Sequence, residues 1–580
     1  MVFAELMRRL LWILPLLLLT TCNQPYRASR GVDDRWYIAT AANGGSDTDG
    51  DGSLAHPWLT LKHAADTITG AAFVGDTIVV GVGEFVETAQ ISLGVGVSIY
   101  GAGNTSIIKS TYAYTDYWPS TLIATIKLRS TSEGTEGNQS ISYIRMDGDN
   151  LTATAAICVS ARSNVDIHHC EFEDFDNYGV SFTGTVDMSY GEATTYASSN
   201  SFHHNTMINC VTDESGTPGY PAGGRGSLMI GSDEDMSIYS NTFVEVNRGT
   251  GNLQYAIQKM CFGFHKGLKI YNNDMTTHGI ELWFCRGGIE IYGNQIQKAI
   301  DFGGIDATWG NEDINDAAGY GFGAKVYDNI IGNAAYETDW LSGINLEQTI
   351  KGGVYIYRNI IYRRPVPIMF SPGSNNCVVR DTYIYNNVFY DIGRTGSPLA
   401  YGIWLKTSAD GVTVSNINIL NNHIISGESP AMYAGICFGK VSGDTINIKN
   451  NIIQGAADYA ISFDAGDTLD VVNIQKNLFY DNAHSNTILT AATSVLTNDV
   501  VDNLTPADPL FKSAGNFRLQ STSPAINAGI AVGLTSDFAG HRIPQQDTVD
   551  IGAYEYGDYL CLTPSGKLLR NANGKFMIIH

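Results

Sequence analysis

Positive charge is what this chain has least of: 35 Lys and Arg stand against 58 Asp and Glu, a net charge of −23. A nucleic-acid partner needs a basic surface to replace phosphate counterions, so that class is excluded. A polyanionic glycan is disfavoured too, unless a cation bridges it to the protein. Charged residues of either sign make up only 16% of the chain, while glycine reaches 62 residues. That balance suits short strands alternating with tight turns. Cysteine is scarce and scattered: nine residues, none at a zinc-like spacing. Export would permit disulfides among the eight that follow Cys22, but the spacing assigns none.

What the chain has in quantity is a repeat. The pattern apolar-x-x-Asn-x-apolar runs through Phe202…Asn205…Met207, Ile238…Asn241…Phe243, Ile270…Asn273…Met275, Ile291…Asn294…Ile296 and Val326…Asn329…Ile331. It continues in Ile356…Asn359…Ile361, Ile384…Asn387…Phe389, Ile419…Asn422…Ile424, Ile448…Asn451…Ile453 and Ile474…Asn477…Phe479. The asparagines lie 21 to 36 residues apart, a period that marks a solenoid. Apolar residues at alternate positions, rich in Ile, Val, Phe and Tyr, are strand pattern. An asparagine at the bend between strands can donate to and accept from its counterparts in the coils above and below. The repeat therefore predicts an all-β chain wound as a parallel β-helix. Cys170, in Ile167-His168-His169-Cys170-Glu171-Phe172, occupies the asparagine slot and reads as a packed thiol replacing one rung.

Both ends carry cap patterns. Pro57 to Ala65 reads as a short amphipathic helix with Thr60 as N-cap. Gly75-Asp76-Thr77-Ile78-Val79-Val80 follows as a first strand. This opening resembles that of bacterial right-handed parallel β-helix proteins of the pectin-lyase-like superfamily, in which a short helix lids the first coil. Asp508-Pro509-Leu510-Phe511, Ser523-Pro524-Ala525-Ile526-Asn527-Ala528-Gly529 and Asp550-Ile551-Gly552-Ala553-Tyr554-Glu555 resemble the closing segment of secreted members. The resemblance covers about residues 34–557 and implies a right-handed winding with both ends capped. It does not choose an activity, because the superfamily holds lyases, hydrolases, epimerases and proteins of no known reaction.

Arg8 and Arg9 precede the apolar run Leu10–Leu19, too short to span a bilayer and of the kind that directs export. Leu19-Thr20-Thr21-Cys22 resembles a lipobox with Cys22 as the lipidated residue, although Thr21 stands where a smaller residue is usual. The expected organisation is an export segment over 1–22, a cap and first coils over 23–110, and coils over 111–500. A closing segment over 501–557 and a tail over 558–580, read as a small hairpin, complete it. The expected location is the cell envelope or the extracellular space, with the N-terminal lipid as the sole membrane contact. Asp47-Thr48-Asp49-Gly50-Asp51-Gly52 opens like a calcium loop, but Trp58 stands where the bidentate Glu is needed, so a solvated turn is the better reading.

A second strand pattern, Gly/Ala-Ile-x-apolar, precedes most asparagine motifs, and its intervening residues should face outward. They form a stripe: Glu281 and Trp283, Asp301, Asn345 and Glu347, Met369, then Trp404 and Lys406. Outward tryptophans suit the apolar faces of sugar rings. With coils about 4.8 Å apart, Glu281 and Asp301 would be separated by about 5 Å and Glu281 and Glu347 by about 10 Å or more. The first spacing suits a retaining glycosidase and the second the far edge of an inverting one. The segment 303–323, carrying Trp309, would wall the stripe into a cleft, and His278 stands where it could assist proton transfer.

The Asn-Thr-Asp, Asp-Asp, Gly-His-Gly and Arg-Ile-Lys elements of polygalacturonase-type hydrolases are missing, as is the Asp-Pro-His of alginate epimerases. The expected function is binding, and cleavage if the carboxylates are catalytic, of an extracellular polysaccharide. A hydrolase would use Glu281, Asp301 and Glu347 as acid and base, with Trp283, Trp404, Asn345 and Trp309 holding substrate. A lyase would use Lys406 as base, and a calcium ion on the same carboxylates would neutralise a uronate; the sequence demands no other cofactor. The alternative is a non-catalytic glycan-binding or adhesin-like surface protein.

Overall fold

The computed structural model describes residues 34–113, 124–184, 196–210, 226–244, 255–259, 264–275, 279–302, 314–336, 342–372, 375–396, 399–406, 410–427, 431–464, 467–484, 488–490, 494–495, 499–557, 559–560 and 578–579. Cys22 and the export segment lie outside the described residues, as do His278 and Trp309. Three long parallel sheets, of 18, 14 and 14 strands, wrap a single apolar column. One coil shows the winding. Val354–Tyr357 lies in the first sheet, Asn359 makes the bend, Ile360–Tyr362 lies in the second, and Val366–Ser371 lies in the third. The chain then returns to the first sheet at Val378–Tyr385, one strand spacing along the axis. This is a right-handed parallel β-helix.

The asparagines hold the register. The backbone N–H of each rung donates to Oδ1 of the next, as in Asn359 to Asn387 and Asn387 to Asn422, both at 3.0 Å. The side-chain amide donates to the same Oδ1 and also back to a carbonyl of the preceding coil; Asn359 Nδ2 reaches Val326 O at 2.8 Å. The ladder runs from Asn205 through Asn477 and gains a further rung, Asn503, which the spacing pattern had not included. At its start Cys170 stands in the slot: its N–H donates to Asn205 Oδ1 at 2.9 Å, and burial pushes its thiol up to about 12. Beside the rungs, on the outer face, Tyr239, Tyr271, Tyr292, Tyr327, Tyr357 and Tyr385 stack ring on ring at 4.8–4.9 Å. Rings can repeat at that distance only because the coils do. The six described cysteines from Cys158 to Cys437 are all buried.

The N-terminal end is lidded by helix α1, Leu61–Thr67, which buries Leu61, Ala64 and Ala65. Thr60 caps it, accepting from the N–H of His63 at 3.1 Å. The first-turn N–H groups of Leu61 and Lys62 donate to Glu87, whose carboxyl burial raises to about 6. Asp47 accepts from the N–H groups of Leu59 and Thr60 and from the Thr60 hydroxyl. Its turn therefore braces the cap. The closing segment does more than end the solenoid. After Asn503 it runs back over the outside of earlier coils, where Asn386 donates to Ser536 O and Asn450 exchanges two hydrogen bonds with Ile530. Leu519, Ala525 and Ile551 pack there on Ile452 and Leu478. In the tail, Tyr559–Leu560 pairs antiparallel with Ile578–Ile579.

Replacing a mid-ladder rung tests this account. Asn359→Ala leaves the Asn329 N–H and side-chain amide without their shared acceptor and removes the side-chain bonds to Val326 O and Asn387 Oδ1. Each orphaned buried group costs about 1–3 kcal/mol, so a loss of several kcal/mol is expected in urea-induced unfolding. Ser240→Ala, at a half-buried ladder turn whose side chain is no rung, should stay within about 0.5 kcal/mol.

Candidate functional site

The three sheets differ in how their outer faces are treated. Strands of the first and second alternate between buried and half-exposed, as in Val354–Tyr357 and Ile360–Tyr362. Several strands of the third are buried on both faces, as in Ala155–Ser160, Tyr178–Thr183, Gly279–Leu282 and Ala434–Gly439, while Ile300–Phe302 and Val366–Ser371 keep a half-buried outer residue. The third sheet is thus the covered one, and it carries the stripe.

Strand pairing puts the stripe in one column: Gln258, Glu281, Asp301, Asn345, Met369, Trp404, Cys437 and Ser462 are successive register partners. Glu281 and Asp301 face each other across one strand spacing, and Glu347 lies two residues beyond Asn345 on its strand. The Asn345 side-chain amide joins two of the acids, donating to Asp301 Oδ1 at 3.1 Å and to Glu347 Oε1 at 2.9 Å. The two bonds share one nitrogen, so these oxygens are at most 3.1 plus 2.9, or 6.0 Å, apart. Ser371 holds Asn345 in turn, donating to its Oδ1 at 2.8 Å.

Two contributors were not among the sequence candidates. Tyr255 donates its hydroxyl to Asp301 Oδ2 at 3.2 Å, and Gln258 donates to Glu281 Oε2 at 2.5 Å. Ala256-Ile257-Gln258 does carry the Gly/Ala-Ile-x signal that would have flagged Gln258. Tyr255 has no such signal, because a register shift between it and Ile257 carries it out of the alternation.

Burial sets the protonation of the group. Glu281, 8% exposed, is pushed up to about 7 by desolvation; the Glu347 charge adds to this, and the Gln258 and Trp283 N–H groups oppose it. Asp301 is held well above the usual carboxylate range by burial and then by the charges of Glu347 and Glu281. Burial and the three carboxylates keep Tyr255 protonated and donating. Acids this close titrate as a set, holding at least one proton where isolated carboxylates would hold none. One proton donor and one ionised carboxylate in the same cleft are the minimum for acid–base chemistry.

The tryptophans sit differently from flat, open platforms. Trp283 lies just past its strand, half-buried against Tyr196, Phe264 and Phe284. Trp404 stacks on Tyr401 with ring centroids 5.0 Å apart, in a cluster with Val366, Met369 and Ala434. Four strand spacings, about 19 Å, separate their coils, with the acids lying toward the Trp283 end. Lys406 closes its strand in register with Gly439, and its side chain lies outside the described part of the structure. Among the described residues no three His, Cys, Asp or Glu side chains converge to hold a metal ion.

A carboxyl raised in the folded state favours folding below its unfolded value, and that contribution fades as pH rises through the folded value. For Glu281 the window runs from 4.5 to about 7. Glu281→Gln should therefore gain on the wild type across that window, by up to roughly 3 kcal/mol at pH 8 in urea-induced unfolding. Below pH 4.5 the two should be equally stable.

A family model described as "Right handed beta helix region" matches residues 299–483. No curated protein sequence matches the chain. Among solved structures, a mutant tailspike protein of E. coli bacteriophage HK620, in complex with a pentasaccharide, is 12% identical. It aligns over 77% of this chain and 78% of its own, with a TM-score of 0.44. The catalytic unit of an α-1,3-glucanase from Streptomyces thermodiastaticus aligns over 80% of this chain and 71% of its own, at 12% identity and a TM-score of 0.31. PfbA, a surface adhesin of Streptococcus pneumoniae, aligns over 75% and 90% at 11% identity, with a TM-score of 0.37. The winding of the three sheets and the family match over its central coils make this chain a right-handed parallel β-helix.

Proposed function

We propose that the covered face of the third sheet binds an extracellular polysaccharide and hydrolyses it. The observation that carries this reading is the convergence of Glu281, Asp301 and Glu347 in adjacent coils, two of them on one Asn345 amide. A face that only bound neutral sugars would have no need of three carboxylates whose burial opposes their charge. Glu281, with a value of about 7, is the proton donor to the glycosidic oxygen. Glu347, half-exposed at the end of its strand, attacks or activates water, and Asp301 keeps the proton within the set.

Trp404 and Trp283 mark the two ends of this face, with His278 given a part in proton transfer and Trp309 a part in holding the sugar. An acidic groove suits a neutral glycan. The lyase reading, with Lys406 as base and calcium on the carboxylates, requires a uronate and would show itself by ultraviolet absorbance of an unsaturated product. The Arg8–Leu19 run and Cys22 support export and anchoring by lipid.

The test is turnover of neutral and acidic polysaccharides by the wild type and by Glu281→Gln, Asp301→Asn and Glu347→Gln. Reducing ends should appear without unsaturated uronate, with a loss of about 10²–10⁴-fold in each variant and glycan binding retained. Unchanged turnover in all three would remove the carboxylates from the chemistry and leave a glycan-binding protein.

A further inference from the structure

Away from the groove, on the outer face of the first sheet, two consecutive coils depart from the repeat. In later coils the two positions before the ladder asparagine hold Tyr and then a turn residue: Tyr239-Ser240, Tyr271-Asn272, Tyr292-Gly293, Tyr327-Asp328 and Tyr385-Asn386. In the coils of Cys170 and Asn205 both positions are histidine: His168-His169 and His203-His204. The second position of each doublet has the left-handed backbone common to this turn, φ 54° at His169 and 55° at His204. That turn folds the two rings of a doublet toward each other. Nδ1 of His168 lies 2.9 Å from Nδ1 of His169, and the same distance separates His203 and His204. The doublets stack, with ring centroids 5.1 Å apart for His168 and His203 and 4.9 Å for His169 and His204.

Asp166 fixes the tautomer. Its Oδ1 lies 3.0 Å from His203 Nε2 and accepts from the Ser201 hydroxyl at 2.7 Å. Burial opposes its charge, but the His203 and Ser201 bonds outweigh it and hold the carboxyl below its usual range. An Nε2–H held by Asp166 leaves His203 Nδ1 to accept the hydrogen bond that His204 Nδ1 donates, and a metal ion bound between the two nitrogens releases that shared proton to solvent. Neutral imidazole is the ligating form.

We propose that the His203–His204 doublet chelates a divalent transition-metal ion through its two Nδ1 atoms, with Asp166 as the outer partner and solvent completing the shell. The spacing selects the geometry. Two nitrogens 2.9 Å apart, each about 2.05 Å from a metal, subtend about 90° there. That is the cis angle of square-planar or octahedral coordination, which Cu(II) and Ni(II) adopt; the tetrahedral angle of structural zinc would need a wider pair. No three described ligating side chains converge, so the site is a two-nitrogen chelate and not a closed cage. His203 has the shorter approach to Asp166, 3.0 Å against 3.9 Å for His168, so its doublet binds first. The charge of that ion then opposes a second one in the doublet stacked on it.

The repeat itself supplies test variants that should fold, since Tyr and Asn occupy the same two slots in the coil of Asn273. The experiment is titration of the full chain with Cu²⁺ alone, followed by calorimetry and by electron paramagnetic resonance, for wild type, H203Y/H204N and H168Y/H169N. One Cu²⁺ per chain is expected in the wild type, with a two-nitrogen hyperfine pattern. H203Y/H204N should lose that pattern and bind at least tenfold more weakly, while H168Y/H169N should keep both. Equal binding by the wild type and H203Y/H204N would overturn the proposal, as would a loss confined to H168Y/H169N.

Discussion

Everything in this molecule depends on a buried amide finding its partner in the next coil. A ladder asparagine sits at a bend between two sheets with almost no access to water, so its donors and acceptor must be met by protein. The rung above and the backbone of the coil below meet them, and only in one register. A slip of one residue would strand the amides of both coils and turn every inward Ile and Phe outward. The same register then applies to every column at once. The core of Ile, Val and Phe, the outer tyrosines and the carboxylates of the third sheet are all in line because the asparagines are.

Alignment has an electrostatic consequence. On an ordinary twisted sheet, acids one and two strands apart would spread through solvent. Here they stack on a face that is covered, so desolvation and mutual repulsion act together on Glu281 and Asp301. The neighbours that temper this are neutral donors, Tyr255, Gln258 and Asn345, which orient the carboxylates without cancelling their charge. The Cys170 and histidine coils show the other side of the repeat. Where a coil departs from the pattern and still keeps the register, the substituted side chains are presented in pairs at the coil spacing.

The fold could be read from residues because its determinant is a short motif at a regular interval, and each copy repeats the evidence. The stripe could be read because strand alternation is a local rule: Glu281, Asp301, Asn345, Met369 and Trp404 occupy the column that the Gly/Ala-Ile-x pattern assigns them. Tyr255 escaped that rule through a local register shift, and Asn503 because Thr505 stands where the motif has an apolar residue. The tryptophans were placed on the correct coils, but their packing was not foreseeable. Whether the Trp283 ring lies open or packed depends on Tyr196 and Phe264, which belong to other coils.

The sequence by itself determined the winding, the rung positions, the cap helix with its Thr60 N-cap and the column in which the acids lie, since periodicity and hydrogen-bonding type are local properties. Only the tertiary structure decided which of the three outer faces is covered, and with it the burial that raises Glu281 to about 7. It alone brought Asn345 onto two carboxylates, led the closing segment back to Asn450, and set paired histidines ring against ring. Those outcomes depend on distances between residues tens of positions apart, and such distances exist only once the coils have stacked.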